Sequence, residues 1–225
     1  MSNTRLKYLT ILSSAYMAVV LLTMFIESRM ISVFSFHIVT GTLIIPVTYS
    51  LSDIITEVYG YNEMRRLLWS SIFILYVIAL VLYILMKFPS PPSAVELNNA
   101  YEMVVHPFLR DVFTYSVAAF AGIFLNSYLL SKWKILVSGR LFWMRSLGSS
   151  AIGEIIFTLV FGMIAFLGVY PLKDIVSIIG FSFVYKFISN LLAIIPASLL
   201  VQFLKRAENI DVYDNAVSFN PFLLH

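Results

Sequence analysis

Apolar residues run almost unbroken through six stretches of this chain, with polar residues gathered between them or recurring at helical spacing inside them. A hydrocarbon core about 30 Å thick takes roughly 20 apolar residues at about 1.5 Å each. Six segments meet that length, at about 8–26, 35–59, 67–87, 112–131, 146–170 and 175–204. The last would measure about 45 Å if straight, so it tilts, kinks at Pro196 or projects beyond the bilayer. The pattern predicts an all-α polytopic membrane protein with six transmembrane helices, one transmembrane domain over residues 1–225, and a short polar cytoplasmic tail at 205–225. The first run has spanning length and lacks a small-residue cleavage site, which reads as a retained helix and not a signal peptide. KFPSPPSAVELNNAYEMVVHP, Lys87 to Pro107, reads as one long turn-rich loop on the outer side.

Composition agrees with the pattern. The 225 residues are 60% hydrophobic and 12% charged, with a mean hydropathy of +0.90, against roughly 45–50% apolar and 25% charged usage in soluble domains. Lys and Arg position then sets orientation. Arg5, Lys7, Arg65, Arg66, Lys132, Lys134, Arg140, Arg145, Lys205 and Arg206 fall on one side of a six-span layout, while Arg29, Lys87, Arg110 and Lys173 fall on the other. The excess places both termini in the cytoplasm. Cysteine is absent, and His37, His106 and His225 are too scattered for a metal ligand set. No cofactor, nucleotide-binding loop or nucleic-acid partner is expected, and Phe34, Phe36, Trp69, Tyr83, Trp133 and Trp143 read as interfacial belts.

Polar residues inside the spans carry the chemistry. Residues four apart share a helix face, so Tyr49, Asp53 and Glu57 form one stripe, with Pro46 above it able to free a backbone carbonyl. Ser146, Ser150 and Glu154 form a second, flanked by Ser149 and Gly153 in a small-xxx-small arrangement that permits close helix approach. Ser182, Lys186 and Asn190 form a third, and Asn126 adds an amide on the side of Tyr115, Ala119 and Gly122. A central Asp or Lys costs about 2.5–3.5 kcal/mol on insertion, whereas a Leu, Ile or Phe returns only about 0.3–0.6. Such charges need partners or a wet cavity. Two readings stand side by side: Lys186 braces a carboxylate while Asp53 and Glu57 are solvated near a helix end, or the set lines a substrate path.

The blocks YSLSDIITEVYGYNEMRR, RSLGSSAIGE, YKFISNLLAIIP and KRAENIDVYDNAVSFNPF resemble, in order and spacing, the queuosine precursor transporter family, formerly called the vitamin uptake transporter family. The resemblance runs from about Tyr16 to Phe222. It implies a six-helix inner-membrane protein that imports 7-deazaguanines such as 7-cyano-7-deazaguanine, 7-aminomethyl-7-deazaguanine or queuine. Asp53, Thr56, Glu57, Tyr59 and Gly60 fall on the second-helix motif, with Arg65 and Arg66 just after it. Arg145, Gly148, Ser149, Gly153 and Glu154 fall on the fifth-helix motif, and Lys186 on the sixth. Many relatives carry an aspartate three residues after the fifth-helix Glu, where this chain has Phe157.

A guanine-like edge presents an N–H beside an NH2, and one carboxylate accepts both. Glu154 is the expected reader of that edge, with Lys186, Asn190 or Asn126 donating to the adjacent carbonyl. Tyr49, Ser150, Asp53 and Glu57 complete the expected binding set, the two acids forming a polar path or gate toward the cytoplasm. Uptake is expected without a dedicated ATPase, by proton coupling or by facilitated diffusion with trapping. The alternatives are the membrane subunit of an energy-coupling-factor importer, which would co-purify with an ATPase pair, and an intramembrane enzyme working through Asp53 and Glu57. The small-residue faces of the fourth and fifth spans suit a homodimer or internal packing equally.

Overall fold

The computed structural model describes residues 6–27, 29–33 and 36–223. Arg5, Phe34 and His225, and the side chains of Phe36 and His37, lie outside the described residues. Helix α1 (Lys7–Ile26) leads into an antiparallel hairpin of β1 (Met30–Val33) and β2 (Phe36–Val39), with Met30 opposite Val39. A 3-10 turn (Thr40–Leu43) then enters α2 (Ile45–Tyr59), followed by α3 (Tyr61–Leu85), α4 (Val95–Leu136), α5 (Phe142–Phe166) and α6 (Leu172–Glu208).

Five helices, α1, α3, α4 with its preceding turn, α5 and α6, are long and apolar enough to cross a membrane. Their outer faces suit lipid: α3 exposes Phe73, Val77, Leu80, Val81 and Ile84, and α6 exposes Leu192, Ile195 and Leu199. The second expected span, 35–59, is the one that differs. Its first part is hairpin and 3-10 turn, and α2 itself has 15 residues, about 22 Å of helix. Pro46 sits in the first turn of α2, where its missing N–H has no intrahelical acceptor to lose and its fixed φ favours helix entry. At the helix start it interrupts no hydrogen bond within α2.

Helix α2 is short because it is central. It packs against α1, α3, α4, α5 and α6, and twelve of its fifteen residues are buried, among them Tyr49, Asp53 and Glu57. Its polar stripe therefore meets protein on every side.

The expected outer loop is also corrected. The chain turns at Met86–Pro91, makes a 3-10 turn at Pro92–Ala94, and is helical from Val95 onward. Pro107 lies within α4. Only PSPPS breaks helix; VELNNAYEMVV contains neither Gly nor Pro and continues into the apolar run. At 42 residues, α4 is about 63 Å long, twice the hydrocarbon thickness.

Two glycines set the closest helix contact. A Cβ on Gly122 of α4 would lie 2.6 Å from the Gly153 carbonyl oxygen, and one on Gly153 of α5 would lie 2.7 Å from that of Gly122. The small-residue faces are thus occupied by the α4–α5 contact inside one chain.

The tail folds back instead of extending into solvent. Gly60 links α2 to α3 with φ +91°, a left-handed conformation that favours glycine. There Asp214 Oδ2 accepts from the Tyr61 N–H at 2.9 Å and from Ser131 Oγ at 2.5 Å. Arg65, 1% exposed, donates to the Ser218 and Asn220 carbonyls at 2.9 and 2.8 Å. Trp69, expected in an interfacial belt, donates to the Pro221 carbonyl at 2.7 Å and packs on Phe222. A tail this short cannot build a core alone, but it uses the end of the bundle as its own.

Candidate functional site

The intramembrane polar residues separate into three groups, one above another along the bundle. At the tail end is an ion-pair knot on Glu57. Its Oε2 accepts from Arg145 at 2.8 Å, and its Oε1 accepts from Arg145 at 3.2 Å and from Lys205 at 2.6 Å. Lys134, also buried, lies 3.8 Å from Glu57 Oε1 and donates to the Glu57 carbonyl at 2.6 Å, the Val212 carbonyl at 2.7 Å and Asp211 at 2.5 Å. Every Glu57 oxygen is engaged. All five charged residues sit near helix ends or in the tail, and the positive-inside count registered only the sign of Lys134, Arg145 and Lys205.

Asp53 forms the middle group one turn along α2. It accepts from Asn126 Nδ2 at 2.6 Å, from Ser150 Oγ at 2.9 Å and from Ser146 Oγ. The acid ties α2 to α4 and α5. A small cavity of about 10 Å³ lies against it, lined by Ser50, Asp53, Ser146, Ser150 and, from α6, Asn190.

Glu154 is different. It is wholly buried on α5, and neither carboxylate oxygen has a hydrogen-bond partner of ordinary length among the described residues. Lys186 on α6 and Tyr49 on α2 stand close enough to act on it electrostatically, and the Asn190 side chain on α6 makes a long hydrogen-bond approach to it that falls short of ordinary geometry. The Tyr16, Tyr49 and Tyr115 hydroxyls cluster in the same region, and each is buried without a hydrogen bond of ordinary length. Four helices thus direct unpaired polar atoms toward one place in the middle of the bundle.

Phe157 packs over this cluster. Its ring meets Tyr49 and Tyr115 edge to face at 6.2 and 6.0 Å and stacks on Phe161 at 5.8 Å. The Lys186 ammonium lies 5.3 Å from the ring centroid and donates to Thr158 Oγ1 at 3.0 Å. Beyond Phe157, toward the hairpin, lies a somewhat larger cavity of about 20 Å³ lined by Lys186, Ser182, Thr158, Thr42 and Glu27 among apolar side chains. Thr158 is one turn above Glu154, about 6 Å along the axis.

The expected residues are therefore brought together unevenly. Glu154, Lys186, Asn190 and Tyr49 converge at mid-bundle; Asp53, Asn126 and Ser150 form a saturated network beneath them; Glu57 belongs to the knot that holds the tail. Glu27, Tyr16 and Tyr115 were not singled out. Tyr115 was noted beside Asn126, and an acid directly after an apolar run was the available signal for Glu27. Among the described residues no group of three or more His, Asp or Glu gathers to hold a metal ion.

The sequence profile of a family described as "Putative vitamin uptake transporter" matches residues 39–201. The chain belongs to this family. Its matched region runs from the end of the hairpin to near the end of α6 and includes Tyr49, Glu154, Lys186 and Asn190. A Bacillus subtilis (strain 168) protein described as "Probable queuosine precursor transporter" is 26% identical over 170 residues, covering 74% of this chain and 72% of that protein. No solved structure matches. Family and helices together make this a multi-pass membrane transporter, with a small-molecule substrate and the lipid bilayer as its surroundings.

Proposed function

We propose that the protein imports 7-deazaguanine precursors of queuosine across the cytoplasmic membrane, as a secondary transporter or facilitator without its own ATPase. Both termini face the cytoplasm in this reading, and the hairpin and 3-10 turn complete the crossing that α2 begins. The observation that carries the proposal is Glu154, a buried mid-bundle carboxylate with both oxygens unpaired.

A buried polar group without a partner costs about 1–3 kcal/mol, more when charged, so the site is built for something that supplies donors. A guanine-like edge does so with two parallel N–H bonds, charge-assisted and geometrically selective. Lys186 and Asn190 can donate to the neighbouring carbonyl, and Phe157 and the tyrosines offer flat faces for the ring. Phe157, standing where many relatives have an acid, stacks and closes instead of pairing a charge. Asp53, with Asn126 and Ser150, positions α2 and α5 around the cluster, and Glu57 secures the cytoplasmic end.

Purified protein in detergent should be stabilised by 7-cyano-7-deazaguanine or 7-aminomethyl-7-deazaguanine, because a ligand that binds the native state raises its apparent stability. Glu154→Gln should weaken the tighter ligand about 100-fold, roughly 2.7 kcal/mol, by turning an acceptor pair into one acceptor and one donor. Equal stabilisation by guanine or hypoxanthine would replace the proposal with a general purine carrier, and unchanged binding by Glu154→Gln would remove that residue from it.

A further inference from the structure

The larger cavity carries an acid that the reading above does not use. Glu27 follows the last residue of α1, is 7% exposed, and lines the cavity opposite Lys186. Its carboxylate makes no hydrogen bond or ion pair to another described residue. Its seat is built: a Cβ on Gly41 would fall 1.6 Å from Glu27 Oε2, so the carboxylate occupies space that only glycine leaves open. Thr23 closes the same seat, and the buried Thr42 lines the cavity beside it.

Charge in the cavity does not balance. The Lys186 ammonium is attracted by both Glu154 and Glu27, one positive charge between two acids. Asp111 acts on Glu27 as well, adding a further negative charge on that side. Leaving a carboxylate uncompensated in a low-dielectric interior is costly, so the cavity is short of positive charge until a ligand brings one.

We propose that Glu27, seated on Gly41, is a second carboxylate subsite that receives a primary ammonium group carried by the substrate, and so selects a cationic substituent over a neutral one. The inference rests on the proposed function, since it assumes that Glu154 holds the ring. Phe157 and Lys186 lie between the two acids, so the ring stacks at Phe157 while the substituent points toward the hairpin.

The test compares 7-aminomethyl-7-deazaguanine, which is cationic, with 7-cyano-7-deazaguanine, which is neutral, by calorimetry on the purified protein. Wild type should bind the amine at least tenfold tighter than the nitrile. Glu27→Gln, a mimic of the protonated acid, should abolish that preference by weakening the amine tenfold or more and leave nitrile affinity within twofold. That unchanged affinity also shows the variant to be folded. Glu27→Asp, which keeps the charge, should retain part of the preference, and Gly41→Ala, which displaces the carboxylate, should lose it. If both ligands bind wild type and Glu27→Gln with the same ratio, the subsite is wrong while the deazaguanine reading stands. If neither ligand binds wild type, both fall.

Discussion

Glu57 and Glu154 are both buried glutamates on membrane-embedded helices, yet one has every oxygen paired and the other has none. Glu57 stands where chain ends converge, so cations from α4, α5 and α6 reach it together. Glu154 stands at mid-bundle, where its only cation, Lys186, is shared with Glu27 and bonded to Thr158. Burial alone therefore does not identify a functional acid in a membrane protein. The state of its oxygens does: a saturated carboxylate holds the structure, whereas an unsaturated one awaits a ligand.

The sharpest break of this comparison is a matched pair of substitutions. Glu57→Gln leaves Arg145, Lys134 and Lys205 short of their counter-ion, and removing one partner of a buried charge network costs about 3–5 kcal/mol. Glu154→Gln removes an unpaired acid and should leave thermal stability equal or slightly raised. Melting of both variants in detergent, beside ligand binding, gives opposite patterns: Glu57→Gln loses stability, and Glu154→Gln loses binding at constant stability. Were Glu154→Gln the less stable of the two, the division into structural and functional acids would be reversed.

The α4–α5 contact comes next in size, because it holds the helices around the cluster at their spacing. Gly153→Ala places a methyl 2.7 Å from a backbone carbonyl and 2.8 Å from Asn126 Cβ. Neither neighbour is a flexible side-chain end. Overpacking of this kind costs about 1–3 kcal/mol, and the backbone shift should loosen Asn126 from Asp53. The expected result is a lower melting temperature together with a several-fold loss of ligand affinity, while Gly180→Ala, with open space around its Cβ, should change neither.

How much of this was legible in the sequence follows from which interactions are local. The i, i+4 stripes on α2, α5 and α6 were visible because helical periodicity is a property of neighbours in sequence, and Glu154 and Lys186 stood out inside apolar runs. Glu57 shared a stripe with Asp53, but its partners Arg145 and Lys205 lie 88 and 148 residues away. Sequence spacing cannot report that meeting. The extended α4 was hidden by PSPPS, whose turn chemistry coloured the helix-competent residues after it, and α2 was assigned a full span because hydropathy does not distinguish lipid from protein as an apolar surrounding. Glu27, just beyond the first expected span, was passed over, since only the folded chain brings Gly41 against it.

Asp214 tests the part of the structural group that lies outside the bilayer helices. It serves the α3 N-terminus as a side-chain acceptor for the Tyr61 N–H and also takes the Ser131 hydroxyl. Loss of such a cap costs about 0.5–2 kcal/mol. Asp214→Ala should lower the melting temperature modestly and free the tail, detected as a changed environment of Trp69, which otherwise packs on Phe222. A tail that stays docked in that variant would mean that Arg65 and Trp69 suffice to hold it.

Asp211 is the smallest case and sets the lower limit of the comparison. Burial alone would raise its carboxyl, but hydrogen bonds and charge from Lys134 and Lys205 outweigh this and hold it below the usual carboxylate value. A depressed acid contributes stability above its unfolded value, about 4, and that contribution disappears as pH falls through the lower folded value. Because the side chain is 40% exposed, solvent screens the pair and the effect is weak. Asp211→Asn should therefore change tail docking only slightly at neutral pH, with the difference from wild type vanishing under acid, read from Trp69 emission in a background with Trp133 and Trp143 replaced by Phe. If Asp211→Asn released the tail as fully as Glu57→Gln, the knot would be organised around the tail acid, and Glu57 would be its support.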